Sequence, residues 1–228
     1  MRPVALITGA TGHLGPAIAR ALAADGWDLV LVHRSSGDRA SDLARETGGA
    51  LEVADLSDVA AARALADRAR GHHGRIDALV HAAGGFRDEP VMDAAVEEWR
   101  ADFAVHAESF HALVTRLAPA MRMERRGRIV AFVMAGMERW PAYRSSTAHA
   151  VAKAATLMMA RAFAAEMASD GVTVNLVAPG RVHGGEGGPK FERPSDVAGV
   201  VRFLLSDAGG SVTGAIVPVA GALGMSPL

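Results

Sequence analysis

The chain has 228 residues, 50% of them hydrophobic and 21% charged, the composition of a globule with a large core. Its 24 Lys and Arg against 25 Asp and Glu leave a formal net charge of −1, which gives no electrostatic footprint for nucleic acid or an anionic membrane surface. Cysteine is absent, which excludes disulfides and thiolate metal sites.

In chain order, the opening apolar run, Val4 to Ile7, is too short for a secretory signal and carries no cleavage pattern. No segment reaches the roughly 20 apolar residues of a membrane span, so a cytoplasmic protein acting on a small molecule is expected. Short apolar runs at 4–8, 28–33, 50–54, 76–81, 128–134, 172–178 and 215–219 read as strands. Amphipathic, Ala-rich patterns at 14–24, 39–47, 58–70, 92–123, 145–169 and 194–205 read as helices. Continuous Val/Ile/Leu runs mark strands buried on both faces. Their alternation with helices predicts one α/β domain over residues 1–228. It is a doubly wound, parallel seven-stranded sheet with helices on both faces and right-handed crossovers. Gly26 and Gly171 stop the first and fifth helices, and Pro194, Ser195 and Asp196 open the last. Residues 181–193, with Gly184, Gly185, Gly187 and Gly188, have no periodicity and read as a loop.

The segment Thr8-Gly9-Ala10-Thr11-Gly12-His13-Leu14-Gly15 joins the first strand to the first helix. Glycines there let the backbone turn tightly and approach a pyrophosphate, and the helix N-terminus adds free N–H groups and a partial positive charge. A three-glycine pattern alone is weak; one that follows a strand and opens a helix is the dinucleotide context. The alternative is an ordinary glycine-rich turn. The second strand ends in His33-Arg34-Ser35-Ser36. A carboxylate at this place holds the ribose 2′-hydroxyl of NAD, whereas an Arg accepts the 2′-phosphate of NADP. No acid is present, Arg34 offers a fork suited to phosphate, and His13 could help, so NADP(H) is the expected cofactor. The alternative is a solvated Arg34.

These landmarks resemble the short-chain dehydrogenase/reductase family over nearly the whole chain. Thr8-Gly9 through Gly15 resembles its TGxxxGxG cradle, with the middle glycine shifted. Asp55-Leu56 resembles the pair that contacts adenine, and Val80-His81-Ala82-Ala83-Gly84 resembles VNNAG. Val174-Asn175 and Pro179-Gly180 resemble the VN…PG segment beside the nicotinamide, with Val182 just beyond, and Val212-Thr213-Gly214 resembles the C-terminal VTG. The resemblance implies Thr8, Gly9, Thr11, Gly12, His13, Leu14, Gly15, His33, Arg34, Ser35, Asp55, Leu56, Ala82, Ala83, Gly84, Lys153, Pro179, Gly180 and Val182 as the cofactor contacts. It also implies a homodimer or homotetramer formed through the two long helices.

The family's proton chemistry uses Ser, Tyr, Lys and Asn. Its YxxxK aligns with His149-Ala150-Val151-Ala152-Lys153, its Asn with His106, and its Ser with a stretch that lacks any hydroxyl, Met134 being the expected occupant. The resemblance therefore keeps Lys153 and replaces two partners by imidazoles, with His149, Lys153 and His106 as the candidate catalytic set. Lys153, one helical turn away, should push the His149 pKa down and favour the neutral base. His106 reads equally as a polar helix residue at the cofactor edge, His81 as structural, and Tyr143 as a phenol that a loop could fold inward. A metal held by His81, His106 and His149 lacks any carboxylate signal, and no metal is expected. Phe86, Met134, Met137, Trp140 and Val182 are the candidate lining of an apolar substrate pocket. Three functions remain open. They are an NADPH-dependent reductase of a carbonyl, imine or enone in a bulky apolar substrate, a non-redox isomerase, lyase or cyclase using His149 as base, and a catalytically silent NADP-binding subunit.

Overall fold

The computed structural model describes residues 1–35, 37–143, 145–180 and 193–221. Seven strands, β1 (Val4–Thr8), β2 (Asp28–His33), β3 (Ala50–Val53), β4 (Ala78–His81), β5 (Gly127–Phe132), β6 (Val172–Pro179) and β7 (Ile216–Val219), pair in parallel. Their order is β3-β2-β1-β4-β5-β6-β7. The helices are α1 (Gly15–Ala24), α2 (Gly37–Thr47), α3 (Val59–His73), α4 (Val96–Phe103), α5 (Ser109–Met123), α6 (Thr147–Met167) and α7 (Pro194–Leu205).

Consecutive strand residues face opposite sides, and both sides are covered. Leu6, Leu79, Ile129 and Val174 pack with Leu65 of α3, Leu113 and Leu117 of α5 and Leu157 of α6. Their chain neighbours Ile7, Val80 and Val130 pack with Ile18 and Leu22 of α1, Leu43 of α2 and Val201 of α7. This two-sided burial explains why the strands read as continuous apolar runs rather than alternating ones. Local chemistry sets the helix ends. The Asp58 carboxylate accepts the Ala60 N–H at 2.8 Å to open α3, and Gly74 closes it at φ 76°.

One expected element is divided. The pattern at 92–123 forms α4, then a π-helical turn at Ala104–Glu108, then α5. Pro90 and the residues after it form a turn, in which the Asp93 N–H bonds to the Pro90 carbonyl, so the helix starts at Val96. The π turn widens the helix locally and displaces His106. Its loosened backbone is held from α6, where the Thr156 hydroxyl donates to the His106 carbonyl at 3.0 Å. Helix α6 starts at Thr147 rather than 145, because Ser146 sits at φ 60°.

The chain winds outward from β1 in one direction and from β4 in the other, so the crevice between their carboxyl ends is the topological switch point.

Candidate active site

The floor of that crevice is built on close backbone approach. Gly9 holds φ 65°, and a Cβ there would lie 2.4 Å from the Ala82 carbonyl oxygen. A Cβ on Gly15 would lie 2.4 Å from both the Gly9 and Ala10 carbonyl oxygens. The Ala10 N–H donates to the Val32 carbonyl at 3.0 Å, which ties the turn to β2. Gly12 and His13 are exposed at the lip, with Thr11 and Leu14 half-buried behind them. Among the described residues no side chain caps α1, and Pro16 occupies its first turn, so none of them consumes the first-turn amides. Thr8 departs from the expected contact. It is fully buried, and its hydroxyl accepts the Ala83 N–H at 3.2 Å, so it braces the cradle from below.

The rim carries the remaining expected contacts. Arg34 and Ser35 are exposed at the end of β2, His33 is buried beside them with no partner for Nδ1 among the described residues, and Ser36 lies outside those residues. The Asp55 carboxylate is held below its usual range, mainly by the Ser57 N–H at 3.0 Å and the Ser57 hydroxyl at 2.8 Å, with a smaller contribution from the Arg34 charge. Leu56 is buried in the core. Ala82 is half-buried, Ala83 buried, and Gly84 exposed at φ 111°. Pro179 and Gly180 are half-buried, and the Gly180 N–H donates to the Val219 carbonyl at 2.9 Å. Val182 lies outside the described residues, as does most of the 181–193 loop.

Thr8, His81 and Ser109 form a buried hydrogen-bonded chain beneath the crevice. The Thr8 hydroxyl accepts the Ala83 N–H and lies 3.1 Å from His81 Nδ1; it donates there, since Ser109 already gives its proton to Val105 and must accept from His81 Nε2–H. His81 Nε2–H donates to Ser109 Oγ at 3.3 Å, and the Ser109 hydroxyl passes to the Val105 carbonyl at 2.7 Å. This chain uses both ring nitrogens and ties the carboxyl ends of β1 and β4 to the π turn. Burial, with Lys153 second, pulls the His81 pKa down to about 3.

His106, His149 and Lys153 do come together, and Asp102 joins them. The His106 ring lies against the Gly84 backbone, where an added Cβ would meet its Cε1 at 1.9 Å. Its Nε2–H donates to the Gly85 carbonyl at 3.3 Å. The His149 ring stands perpendicular to it, with centroids 4.7 Å apart, and meets the Phe86 ring edge at 5.4 Å. Burial is the main cause that lowers the His149 pKa to about 4, and Lys153 is the second, so the expected effect of Lys153 is present but subordinate. His106 is pushed down in the same direction by burial and then Lys153. Burial lowers Lys153 to about 8, against the pull of Asp102, and raises the Asp102 carboxylate.

The three imidazoles do not form one group. His81 is committed to Thr8 and Ser109, and the side chains that converge are Asp102, His106 and His149. Asp102 is the residue the sequence reading missed; its only signal is an acid one helical turn before His106. The pocket lining also changes. Met137 is 2% exposed and belongs to the core, whereas Phe86 is exposed against His149 and Trp140 is exposed at φ 52°. Met134 is half-buried. Tyr143 packs on the core with no hydrogen-bond partner for its hydroxyl among the described residues, and burial raises its pKa.

A model of the family described as enoyl-(acyl carrier protein) reductase matches residues 9–189, most of the chain. The chain belongs to the short-chain dehydrogenase/reductase family. Among short-chain dehydrogenase/reductase relatives, it is 31% identical to a 3-oxoacyl-[acyl-carrier-protein] reductase of Synechocystis, covering 97% of each chain. It is 29% identical to the 3-oxoacyl-[acyl-carrier-protein] reductase FabG of Escherichia coli, again over 97% of each. A solved structure of a blue fluorescent protein from a metagenomic library, in complex with NADPH, superposes with a TM-score of 0.86 at 28% identity, covering 96% of each chain. No helix among the described residues is long and apolar enough to cross a membrane.

Proposed function

We propose that this protein is an NADPH-dependent reductase of a carbonyl, imine or enone in a bulky, largely apolar substrate. The observation that carries the reading is the glycine cradle at the uncapped start of α1, with Arg34 exposed one strand away. The cradle fits a dinucleotide because a side chain at Gly9 or Gly15 would fill the space the backbone occupies. The first-turn amides would hold the pyrophosphate and Arg34 the 2′-phosphate. The 3-oxoacyl reductases among the relatives and the NADPH complex of a structural neighbour support the same reading. Bound NADPH supplies the hydride.

His149 stands where the family carries its Tyr. Neutral at pH 7, it serves as a hydrogen-bond donor to a substrate oxygen, with the Lys153 ammonium beside it to anchor the nicotinamide ribose and to supply, by way of that hydrogen bond, the proton the oxygen takes up as carbon receives the hydride. Phe86 forms an apolar wall over His149. The exposed apolar side chains Phe103, Val151 and Met158 on α4 and α6 support self-association through these helices.

Fluorescence titration tests the cofactor. NADPH is expected to bind in the micromolar range and NADH more weakly. Arg34→Ala should weaken NADPH about ten- to a hundredfold and leave NADH unchanged, since a hydrogen bond to a charged group contributes about 1.5–3 kcal/mol. Equal affinity of the wild type for both cofactors removes the NADP preference, and absence of binding removes the reductase reading. With a 3-oxoacyl thioester or another reducible apolar carbonyl, Lys153→Met should lower kcat about a hundredfold or more. Unchanged turnover in that variant would leave Lys153 without a role in the chemistry.

A further inference from the structure

Asp102, His106 and His149 each present one donor atom, and the three atoms lie within 4.8 Å of one another. All three side chains are more than nine-tenths buried. Asp102 Oδ2, His106 Nδ1 and His149 Nδ1 have no hydrogen-bond partner among the described residues. A buried polar atom left unpartnered costs about 1–3 kcal/mol, and three gathered in one place call for a ligand. The tautomer is set as a metal site requires. His106 Nε2–H is donated to the Gly85 carbonyl, which leaves the Nδ1 lone pair available to a cation, and metal-bound imidazoles make the same outer hydrogen bond.

We propose that Asp102, His106 and His149 form a binding site for one divalent first-row transition cation of the zinc and iron(II) class. Two imidazoles with one carboxylate and no thiolate match that class, whereas calcium and magnesium require more oxygen ligands than this cluster supplies. Metal–ligand bonds of about 2.0–2.1 Å separate tetrahedral donors by about 3.4 Å, so the side chains close in by roughly 1 Å, a rotation rather than a backbone shift. The neutral state of both imidazoles is the ligating form. Lys153 opposes the cation, and burial weakens that opposition by favouring its uncharged form. Three protein ligands leave a coordination position for a substrate oxygen, which the cation would polarise in a site whose sequence lacks the family's Tyr and Ser hydroxyls. The binding site stands on these three side chains; its use in catalysis rests on the reductase reading.

Tag-free protein stripped of metal and titrated with Zn²⁺ by calorimetry, with Co²⁺ by visible absorption and anaerobically with Fe²⁺, tests the proposal. One equivalent is expected to bind at micromolar concentration or below, with an intense Co²⁺ absorption of tetrahedral type. Asp102→Asn and His149→Phe should each weaken binding about a hundredfold or more, while His72→Ala and His111→Ala, which alter exposed histidines, should not. Lys153→Met should tighten binding by removing the buried ammonium. NADPH titration of the same samples identifies variants that remain folded and reports the cofactor site separately. No stoichiometric uptake by the wild type overturns the metal site, as does unaltered uptake in Asp102→Asn with NADPH binding intact. Loss of NADPH binding in a wild type that still takes up one metal ion overturns the reductase reading alone and supports the metal site.

Discussion

Gly12→Val is expected to melt close to the wild type and to bind NADPH about a hundredfold more weakly, whereas Gly15→Ala is expected to lose both binding and stability. The difference follows from where the new atoms go. Gly12 is exposed, its φ is outside the left-handed region, and an added Cβ meets only the Gly9 carbonyl oxygen, at 3.1 Å. A valine there projects over the lip and occupies the approach of the pyrophosphate, so the loss falls on the ligand. At Gly15 the Cβ would stand 2.4 Å from two backbone oxygens, which cannot rotate away. The start of α1 must move off β1, and overpacking of this kind destabilises by about 1–3 kcal/mol. Thermal melts read by circular dichroism, alongside NADPH fluorescence titration, separate the two effects. Wild-type affinity in Gly12→Val would mean that no phosphate sits at this turn.

Acid is expected to destabilise the fold well before its carboxylates titrate. His81 has a folded pKa of about 3 and His149 of about 4, each below the ordinary 6.5, with burial the first cause in both. Where the folded pKa is depressed, the unfolded chain takes the proton first. The stability is therefore fully present above about pH 6.5 and is lost as pH falls toward the folded values. Between pH 7 and pH 5 each of the two withdraws about 2 kcal/mol, and His106 adds to the trend in the same direction. Asp102 and Glu89, whose pKa values are raised, work in the opposite sense. The net expectation is a marked fall in melting temperature from pH 7 to pH 5. His81→Asn should flatten it, since an amide can replace the bonds to Thr8 and Ser109 without titrating. A melting temperature that does not change between pH 7 and pH 5 would show that the buried imidazoles are hydrated or charged in the folded protein.

Much of the architecture was legible because its causes are local. β1, β2 and α7 have the bounds their residue patterns predict, and every other strand end lies within two residues of its apolar run. The cradle was legible for the same reason, since glycines between a strand and a helix report a backbone requirement at their own positions. The division of the 92–123 pattern was not legible. A π turn leaves the spacing of apolar residues nearly unchanged, and its stabiliser, Thr156, lies 50 residues from His106.

The candidate site divides along the same line. His149 and Lys153 could be paired from sequence, because four residues on one helix guarantee adjacency. The separate fates of His81 and His106 could not, for they depend on which partners reach each ring. Thr8 and Ser109 take both nitrogens of His81, while His106 keeps one lone pair beside Asp102.

The sequence by itself determined the order of strands and helices, the glycine turn, the arginine at the end of β2 and the four-residue spacing of His149 and Lys153, because each is a property of neighbouring residues. Only the tertiary structure decided that Asp102, His106 and His149 share one buried cluster. Their proximity depends on the packing of the π turn against α6 and Gly84, and desolvation acts on groups gathered from distant parts of the chain.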